Sequence, residues 1–343
     1  MNKRIAVLTG GGCAPGLDPA IEGLVNSLSP EYGVIGIVGG WKSIRDGAPV
    51  TMDLTDAVVR GWVRNSGTSI KTSRIKPLNE KNLDQIASSY YSLGIDGIVA
   101  AGGDDTLGNA LFLKQAGFSV IGIPKTMDLD LKDTDYSVGF QSYVESCRQI
   151  VNDYIETLKS HSRVGVVEVF GRDSGFTAAE LGIVTDACYI GIPEIDIDLQ
   201  NLRQQVASSF YDQGWALVVV SEAVNLPGER DLKPGDDGHI ELKEREAGKL
   251  IALMIHELTG LETKSTQLDH PFRGRIISYD AMAGFRLGLK AAEMVRQDQW
   301  GEMIAIHGEK MDAVPLENFQ GTRRIDPDDY RYELVTGRNS GMF

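Results

Sequence analysis

Cysteine is scarce in this chain of 343 residues: Cys13, Cys147 and Cys188 stand far apart. Three thiols so scattered exclude a disulfide framework or a cysteine-built zinc site and suit a reducing compartment, where each reads as a small buried hydrophobe. Long apolar runs are also missing, so no stretch approaches the length of a bilayer span. The first strand-like run, Ile5 to Leu8, is too short for a signal-peptide core and meets a glycine turn, so a cytoplasmic protein is expected. Positive charge is in deficit, 34 Lys and Arg against 48 Asp and Glu for a net −14. That balance argues against nucleic acid or an anionic membrane as partner, and anionic substrates would need local cations. Internal repeats and low-complexity segments are absent too.

What is present is an alternation of short apolar runs with helical patterns, each run ending in a polar turn. Phe118 to Ile123 reads as a buried parallel strand stopped by Pro124, with Lys125, Thr126, Asp128 and Asp130 following within six residues. An open α/β sheet places its chemistry at such carboxyl ends. Carboxylates two apart in a turn can divide labour, one near a metal and one near a hydroxyl proton; the plain alternative is an acidic surface turn. After Ile5 to Leu8, the segment Thr9-Gly10-Gly11-Gly12-Cys13-Ala14-Pro15-Gly16 and a helical pattern through Leu28 form an anion cradle of bare amides and helix dipole. Its spacing fits neither the Walker loop nor the dinucleotide fingerprint.

A second glycine turn, Ser66 to Arg74, carries Lys71 and Arg74. Gly97 to Ala100 runs into Gly102-Gly103-Asp104-Asp105-Thr106, where Asp105 or Thr106 is expected to cap a helix beginning near Leu107. The strand 164–170 leads into Gly171-Arg172-Asp173-Ser174-Gly175-Phe176, and 215–220 into Ser221-Glu222. Glu168, mid-strand among valines, reads as a buried structural partner. Residues 224–245 read as an exposed excursion, an ordered loop or short hairpin, without an assigned role. The alternation implies a mostly parallel sheet, or two, with helices on both faces.

Together these segments supply what phosphoryl transfer needs: glycine turns for phosphate oxygens, carboxylates for Mg2+, a base and cations. Their order resembles the phosphofructokinase family of two-domain α/β enzymes nearly end to end. The resemblance is carried by Thr9-Gly10-Gly11-Gly12, Gly102-Gly103-Asp104-Asp105-Thr106, Pro124-Lys125-Thr126-Met127-Asp128, Val167-Glu168-Val169-Phe170-Gly171-Arg172 and His270-Pro271-Phe272-Arg273-Gly274. It implies two similar three-layer αβα domains with the active site in the cleft between them. A larger, donor-binding domain is expected over 1–139 plus about 274–310, and a smaller, sugar-phosphate domain over 140–273 plus about 311–343.

By the same resemblance, Asp128 is the base for the sugar hydroxyl, and Asp104 and Asp130 hold Mg2+. Gly11, Arg74, Asp105, Thr106 and Lys125 face the donor, with Arg172 at the transition state or the sugar. Thr126, Phe170, Gly171 and Glu222 line the sugar, while His270 and Arg273 hold its phosphate. Arg163 and Lys264 are expected to reach in from a neighbouring subunit, which implies a homodimer or homotetramer.

Family members that use ATP usually carry glycine where this chain has Asp105 and Lys125, so the resemblance points to the pyrophosphate-dependent branch, with fructose 6-phosphate as acceptor and either glycolytic or gluconeogenic flow. The pattern breaks at Leu129, where asparagine is usual, at Asp18, which sets an acid near an anion site, at Lys264, where arginine is usual, and over Asp173 to Phe176. Leu129 and Lys264 leave open another acceptor such as sedoheptulose 7-phosphate. A catalytically silent regulatory member is the third reading, opposed by the full set Asp104, Asp128, Asp130 and Arg172.

Overall fold

The computed structural model describes residues 3–75, 77–227, 245–269 and 273–342. In chain order its elements are β1 (Arg4–Gly10), α1 (Leu17–Leu28), β2 (Gly33–Ile37), α2 (Trp41–Arg45), β3 (Thr51–Leu54), α3 (Asp56–Val59), β4 (Thr72–Ser73), α4 (Leu83–Ser92), β5 (Gly97–Gly102), α5 (Asp104–Gln115), β6 (Val120–Thr126) and β7 (Val138–Gly139). There follow α6 (Phe140–His161), β8 (Val164–Val169), α7 (Phe176–Val184), β9 (Tyr189–Gly191), α8 (Leu199–Gln213), β10 (Ala216–Ser221), α9 (Ala247–Thr259), β11 (Thr263–Leu268), α10 (Ser278–Arg296), β12 (Glu302–His307), β13 (Lys310–Pro315) and α11 (Tyr330–Ser340).

The first compact unit takes in residues 1–127, 131–142 and 273–321. Its sheet runs in the order β13-β12-β6-β5-β1-β2-β3, with β4 on β1 and β7 on β6. The pairs from β12 through β2 are parallel, and β3 and β13 close the edges antiparallel. Ile5, Ala6, Val7 and Leu8 are buried because β1 is central and covered on both faces, which is why the strand reads as a continuous apolar run. From β1 the chain builds outward one way to β2 and, later, the other way from β5 to β6. The crevice outside the carboxyl ends of β1 and β5 is therefore the topological switch point of this sheet, where ligands of open α/β sheets bind.

The second unit takes in residues 128–130, 143–272 and 322–343. Its described strands form a parallel sheet in the order β11-β8-β10-β9. In both units helices pack on both sides of mostly parallel strands, as the alternation implies.

Several local expectations shift. The helix expected near Leu107 starts at Asp104 and is capped by Gly103, with no side-chain cap hydrogen bond. Asp104 and Asp105 thus occupy its first turn, where the helix dipole favours negative charge. β11 was not legible because it is a polar strand, half exposed and, among the described residues, at the edge of its sheet beside β8. β13 was missed likewise: it pairs along its whole length with β12 across the turn Gly308-Glu309, which keeps residues 311–321 in the first unit rather than the second. Residues 128–130 fall in the second unit and Arg273 in the first. Most of the 224–245 excursion lies outside the described residues.

Candidate active site

In the first unit, backbone and side-chain hydrogen bonds hold two glycine turns together at the carboxyl end of β1. The Gly11 N–H donates to the Ser73 carbonyl at 3.0 Å, and Thr72 Oγ1 donates to the Gly11 carbonyl at 2.9 Å. Thr9 Oγ1 donates to the Lys71 carbonyl at 3.0 Å. The segment carrying Lys71 and Arg74 is thereby held against the one carrying Gly11.

Asp18 completes this splice, and its role differs from the expected acid beside an anion. It is 1% exposed and accepts from the Ser69 N–H at 2.7 Å, Ser69 Oγ at 2.6 Å and Asn65 Nδ2 at 2.8 Å. Burial pushes its carboxyl up despite these bonds. A carboxylate fully engaged with the Asn65–Ser69 segment is turned away from any ligand, and asparagine could not accept so many donors.

Lys125, at the end of β6, is the cation of this half-site. It is 5% exposed, and among the described residues its ammonium has no hydrogen-bond or ion-pair partner. Its Nζ lies 3.3 Å from where a β-carbon on Gly11 would stand, and Gly11 itself sits at φ 76°. Burial, then the charges of Arg273 and Arg74, lower its proton affinity to about 8, with Cys13 and Asp104 acting the other way. Asp104 and Asp105 are exposed in the first turn of α5. Thr106, assigned to the donor, is buried with its side chain closely packed against Gly102 and Gly10. Thr126 is half-buried at the end of β6, its carbonyl accepting from Ser137 Oγ at 2.9 Å. Arg273 lies over the first glycine turn, with Nη1 donating to the Cys13 carbonyl at 3.0 Å. Cys13 is exposed rather than buried, because the turn it occupies projects beyond the sheet.

In the second unit the turn Asp128-Leu129-Asp130 is held by its backbone. Ser174 Oγ donates to the Asp128 carbonyl at 2.9 Å, and the Arg323 N–H donates to the Asp130 carbonyl at 2.7 Å. Between them Leu129 is 3% exposed and left-handed, at φ 59°. That conformation suits asparagine far better than leucine, so the turn keeps an asparagine-like backbone without the amide. Ser174 therefore has a purpose in the segment that departs from the family pattern, and no signal in the sequence pointed to Arg323.

At the ends of β8 and β10, Phe170 and Arg172 are half-buried, with Gly171 between them. Tyr143 Oη donates to the Leu268 carbonyl and accepts from the Phe170 N–H at 3.2 Å. The Gly171 N–H donates to Glu222 Oε1 at 3.4 Å. Burial pushes the Glu222 carboxyl up to about 7, against the pull of the Gly171 N–H and the Arg172 charge. Glu168 is buried and accepts from the Gly248 N–H at 2.8 Å and Gln267 Nε2 at 3.2 Å, as a structural partner does. Arg163 pairs with Glu262 at 2.9 Å, and the exposed Lys264 lies 4.0 Å from the same carboxylate. His270 lies outside the described residues. Among the described residues no cluster of three or more His, Cys, Asp or Glu could hold a metal alone, and no helix is long and apolar enough to cross a membrane.

Residues 4–295 match the family model for phosphofructokinase. The chain is 35% identical over 338 residues to the pyrophosphate–fructose 6-phosphate 1-phosphotransferase of Dictyoglomus thermophilum, covering 95% of this chain and 96% of the relative. It is 31% identical over 331 residues to the ATP-dependent 6-phosphofructokinase of Corynebacterium efficiens, covering 94% and 95%. In fold it is similar to the crystal structure of a pyrophosphate-dependent phosphofructokinase from Nitrosospira multiformis, with a TM-score of 0.80 and 21% identity over 96% of this chain and 87% of that one. The chain belongs to the phosphofructokinase family of phosphotransferases.

Proposed function

We propose that the protein transfers a phosphoryl group from pyrophosphate to the 1-hydroxyl of fructose 6-phosphate, reversibly, giving fructose 1,6-bisphosphate and phosphate. The observation that carries the donor choice is Lys125: a buried ammonium, partnerless among the described residues, acted on by the charges of Arg273 and Arg74 and beside the Gly11 turn. Like charges gathered in a half-buried place repel unless a polyanion joins them, and pyrophosphate is a small polyanion. The relative named for pyrophosphate supports the same donor, while the ATP-named relative keeps ATP as the second reading.

In this reading Gly11, Arg74 and Lys125 hold the donor, with Asp105 and Thr106 shaping the start of α5 against anything larger. Asp128 accepts the proton of the sugar's 1-hydroxyl as its oxygen bonds to phosphorus and the bridging P–O bond breaks. A positioned base of this kind contributes ~10²–10⁴-fold. Lys125 stabilises the leaving phosphate, and Arg172 the charge spread over the transferring oxygens. Glu222, Thr126, Phe170 and Gly171 contact the sugar, with Arg163, Lys264 and His270 on its phosphate; Arg163 and Lys264 do so in a neighbouring copy, which makes the protein a homo-oligomer.

Mg2+ typically takes one or two carboxylates and completes its shell with water and substrate phosphates. The exposed Asp104, in the first turn of α5, is a hard-oxygen donor of that type. Asp104 and Asp130 would hold the ion, which when bound neutralises phosphate charge.

Initial rates with fructose 6-phosphate and Mg2+, giving pyrophosphate and ATP in parallel, test the reading. Turnover with pyrophosphate and little with ATP is expected; faster turnover with ATP at equal concentration overturns the donor assignment. No turnover with either overturns the acceptor, and sedoheptulose 7-phosphate is then the next to try.

A further inference from the structure

The phenol of Tyr143 is a buried polar group that the proposed chemistry leaves without a task. Tyr143 lies in the first turn of α6 and is 0% exposed. The helix runs along the seam between β8 and β11: a β-carbon on Gly165 of β8 would stand 2.5 Å from Leu158 Cδ1, and Tyr154, about three turns beyond Tyr143, donates through Oη to the Lys264 carbonyl of β11 at 3.0 Å. The seam itself is a parallel ladder, in which Val164 pairs with Thr263 and its N–H donates to the Glu262 carbonyl at 2.9 Å. Even-numbered amides of β8 therefore face β11. Beyond the last pair, Val169 with Leu268, this register makes the next rung the Phe170 N–H to the Leu268 carbonyl. The Tyr143 hydroxyl occupies that rung: Oη accepts from the Phe170 N–H at 3.2 Å and donates to the Leu268 carbonyl.

We infer that Tyr143 is a positioning residue of the acceptor site: its hydroxyl, wedged into the ladder between β8 and β11, holds their carboxyl ends apart and sets where Phe170 meets the sugar. A direct rung brings N and O to about 2.9 Å, whereas a hydroxyl between them needs two hydrogen bonds in series, so the strand ends are spread where the chain turns into Gly171 and Arg172. Phe170 rests on the same residue through its side chain, the two rings tilted by 42° with centroids 5.2 Å apart. Backbone and ring of Phe170 thus both take their place from one tyrosine. Burial above all pushes the proton affinity of this phenol well above its ordinary value, with the charges of Cys147 and Asp128 acting the same way against the pull of the Phe170 N–H. The hydroxyl therefore stays protonated, a donor and an acceptor at once, and Asp128, the base of the proposed reaction, is close enough to act on it. The inference rests on the reading that Phe170 lines the acceptor.

The test separates acceptor from donor and position from packing. Tyr143→Phe removes the hydroxyl and keeps the ring, and melting curves confirm that the variant is folded. Kinetic constants for fructose 6-phosphate and for the donor are measured side by side in the wild type, Tyr143→Phe, Phe170→Leu and the double variant. Methylenediphosphonate, a pyrophosphate analogue that cannot transfer its phosphoryl group, is titrated calorimetrically into each. Tyr143→Phe is expected to lower kcat/KM for the sugar about 10–100-fold, the scale of an ångström-sized misplacement, while the donor KM and the affinity for the analogue move less than about threefold. Because Tyr143 acts through Phe170, the two losses should not add, and the double variant should fall within about threefold of the worse single one. Equal losses for donor and acceptor, a lower melting temperature with unchanged sugar kinetics, or full additivity in the double variant each overturn the assignment. If the wild type turns over sedoheptulose 7-phosphate but not fructose 6-phosphate, the acceptor reading fails, and Tyr143 is judged by the same criteria with that sugar phosphate. A wild type that ignores methylenediphosphonate fails the pyrophosphate reading, and the donor KM then carries that comparison.

Discussion

The ammonium of Lys125 lies 3.3 Å from the point where a β-carbon on Gly11 would stand, so the first glycine turn and the end of β6 present bare backbone and a buried cation to one spot. The cost of keeping that cation buried is measurable, and it sets the first expectation.

Lys125 titrates at about 8 in the folded protein against an ordinary 10.5. Between those values the unfolded chain binds the extra proton, so this group makes stability rise with pH through that window and weighs on the fold fully below it. Lys125→Met should therefore be more stable than the wild type at pH 7 by on the order of 2–3 kcal/mol, with the gap closing as pH approaches 10.5. Urea denaturation at pH 7 and pH 10 measures it. The same variant should lose pyrophosphate-dependent turnover about 100-fold; a destabilised, active Lys125→Met contradicts both halves.

Glu222 has the opposite sign. Its carboxyl rises from 4.5 to about 7, so between those values the native chain holds the extra proton and the group's contribution to stability falls as pH rises. The ionised form is the better acceptor for sugar hydroxyls, so kcat/KM for the sugar should climb through about pH 7. Glu222→Gln should flatten that limb. A limb that survives in the variant belongs to another group.

Asp18 answers three donors from Asn65 and Ser69 in a buried place. Asp18→Ala leaves them without an acceptor and should cost about 2–3 kcal/mol, with the donor KM rising several-fold as the Lys71–Arg74 segment loosens. Asp18→Asn should fall between. Chemical denaturation and donor kinetics on the same preparations check the link; a stability loss with unchanged donor KM shows that the splice does not reach the substrate.

Leu129 holds a left-handed backbone while 3% exposed. Leucine gives up about 1–2 kcal/mol to that conformation and gains about 1.5–3 kcal/mol from burial. Leu129→Asn should thus lower stability by roughly 1 kcal/mol and leave the order of acceptors unchanged, because the side chain is shielded from solvent. An acceptor screen that reorders on substitution would return Leu129 to the substrate surface.

Strand cores and their terminal turns were legible because both are local. A run such as Val164–Val169 carries its burial in consecutive residues, and glycine, arginine and aspartate just after it declare what backbone and charge are offered there. Edge strands were not legible: β11 is half exposed and polar, and β13 gains its identity only from β12 beside it. The start of α5 was misjudged since a helix can begin at an acidic pair capped by glycine, with the dipole in place of a capping side chain.

The sequence by itself determined the fold class, the family and which residue types gather at the strand ends, all of which depend on short-range pattern and order. Tertiary structure alone decided what those groups meet: the Asp18 side chain the segment of Asn65 and Ser69, the Ser174 hydroxyl and the Arg323 N–H the Asp128–Asp130 backbone, and the Arg273 side chain a turn 260 positions earlier in the chain. Hydrogen bonds and charge interactions act over a few ångströms, so no local pattern encodes such partners until packing of the sheets brings them within reach.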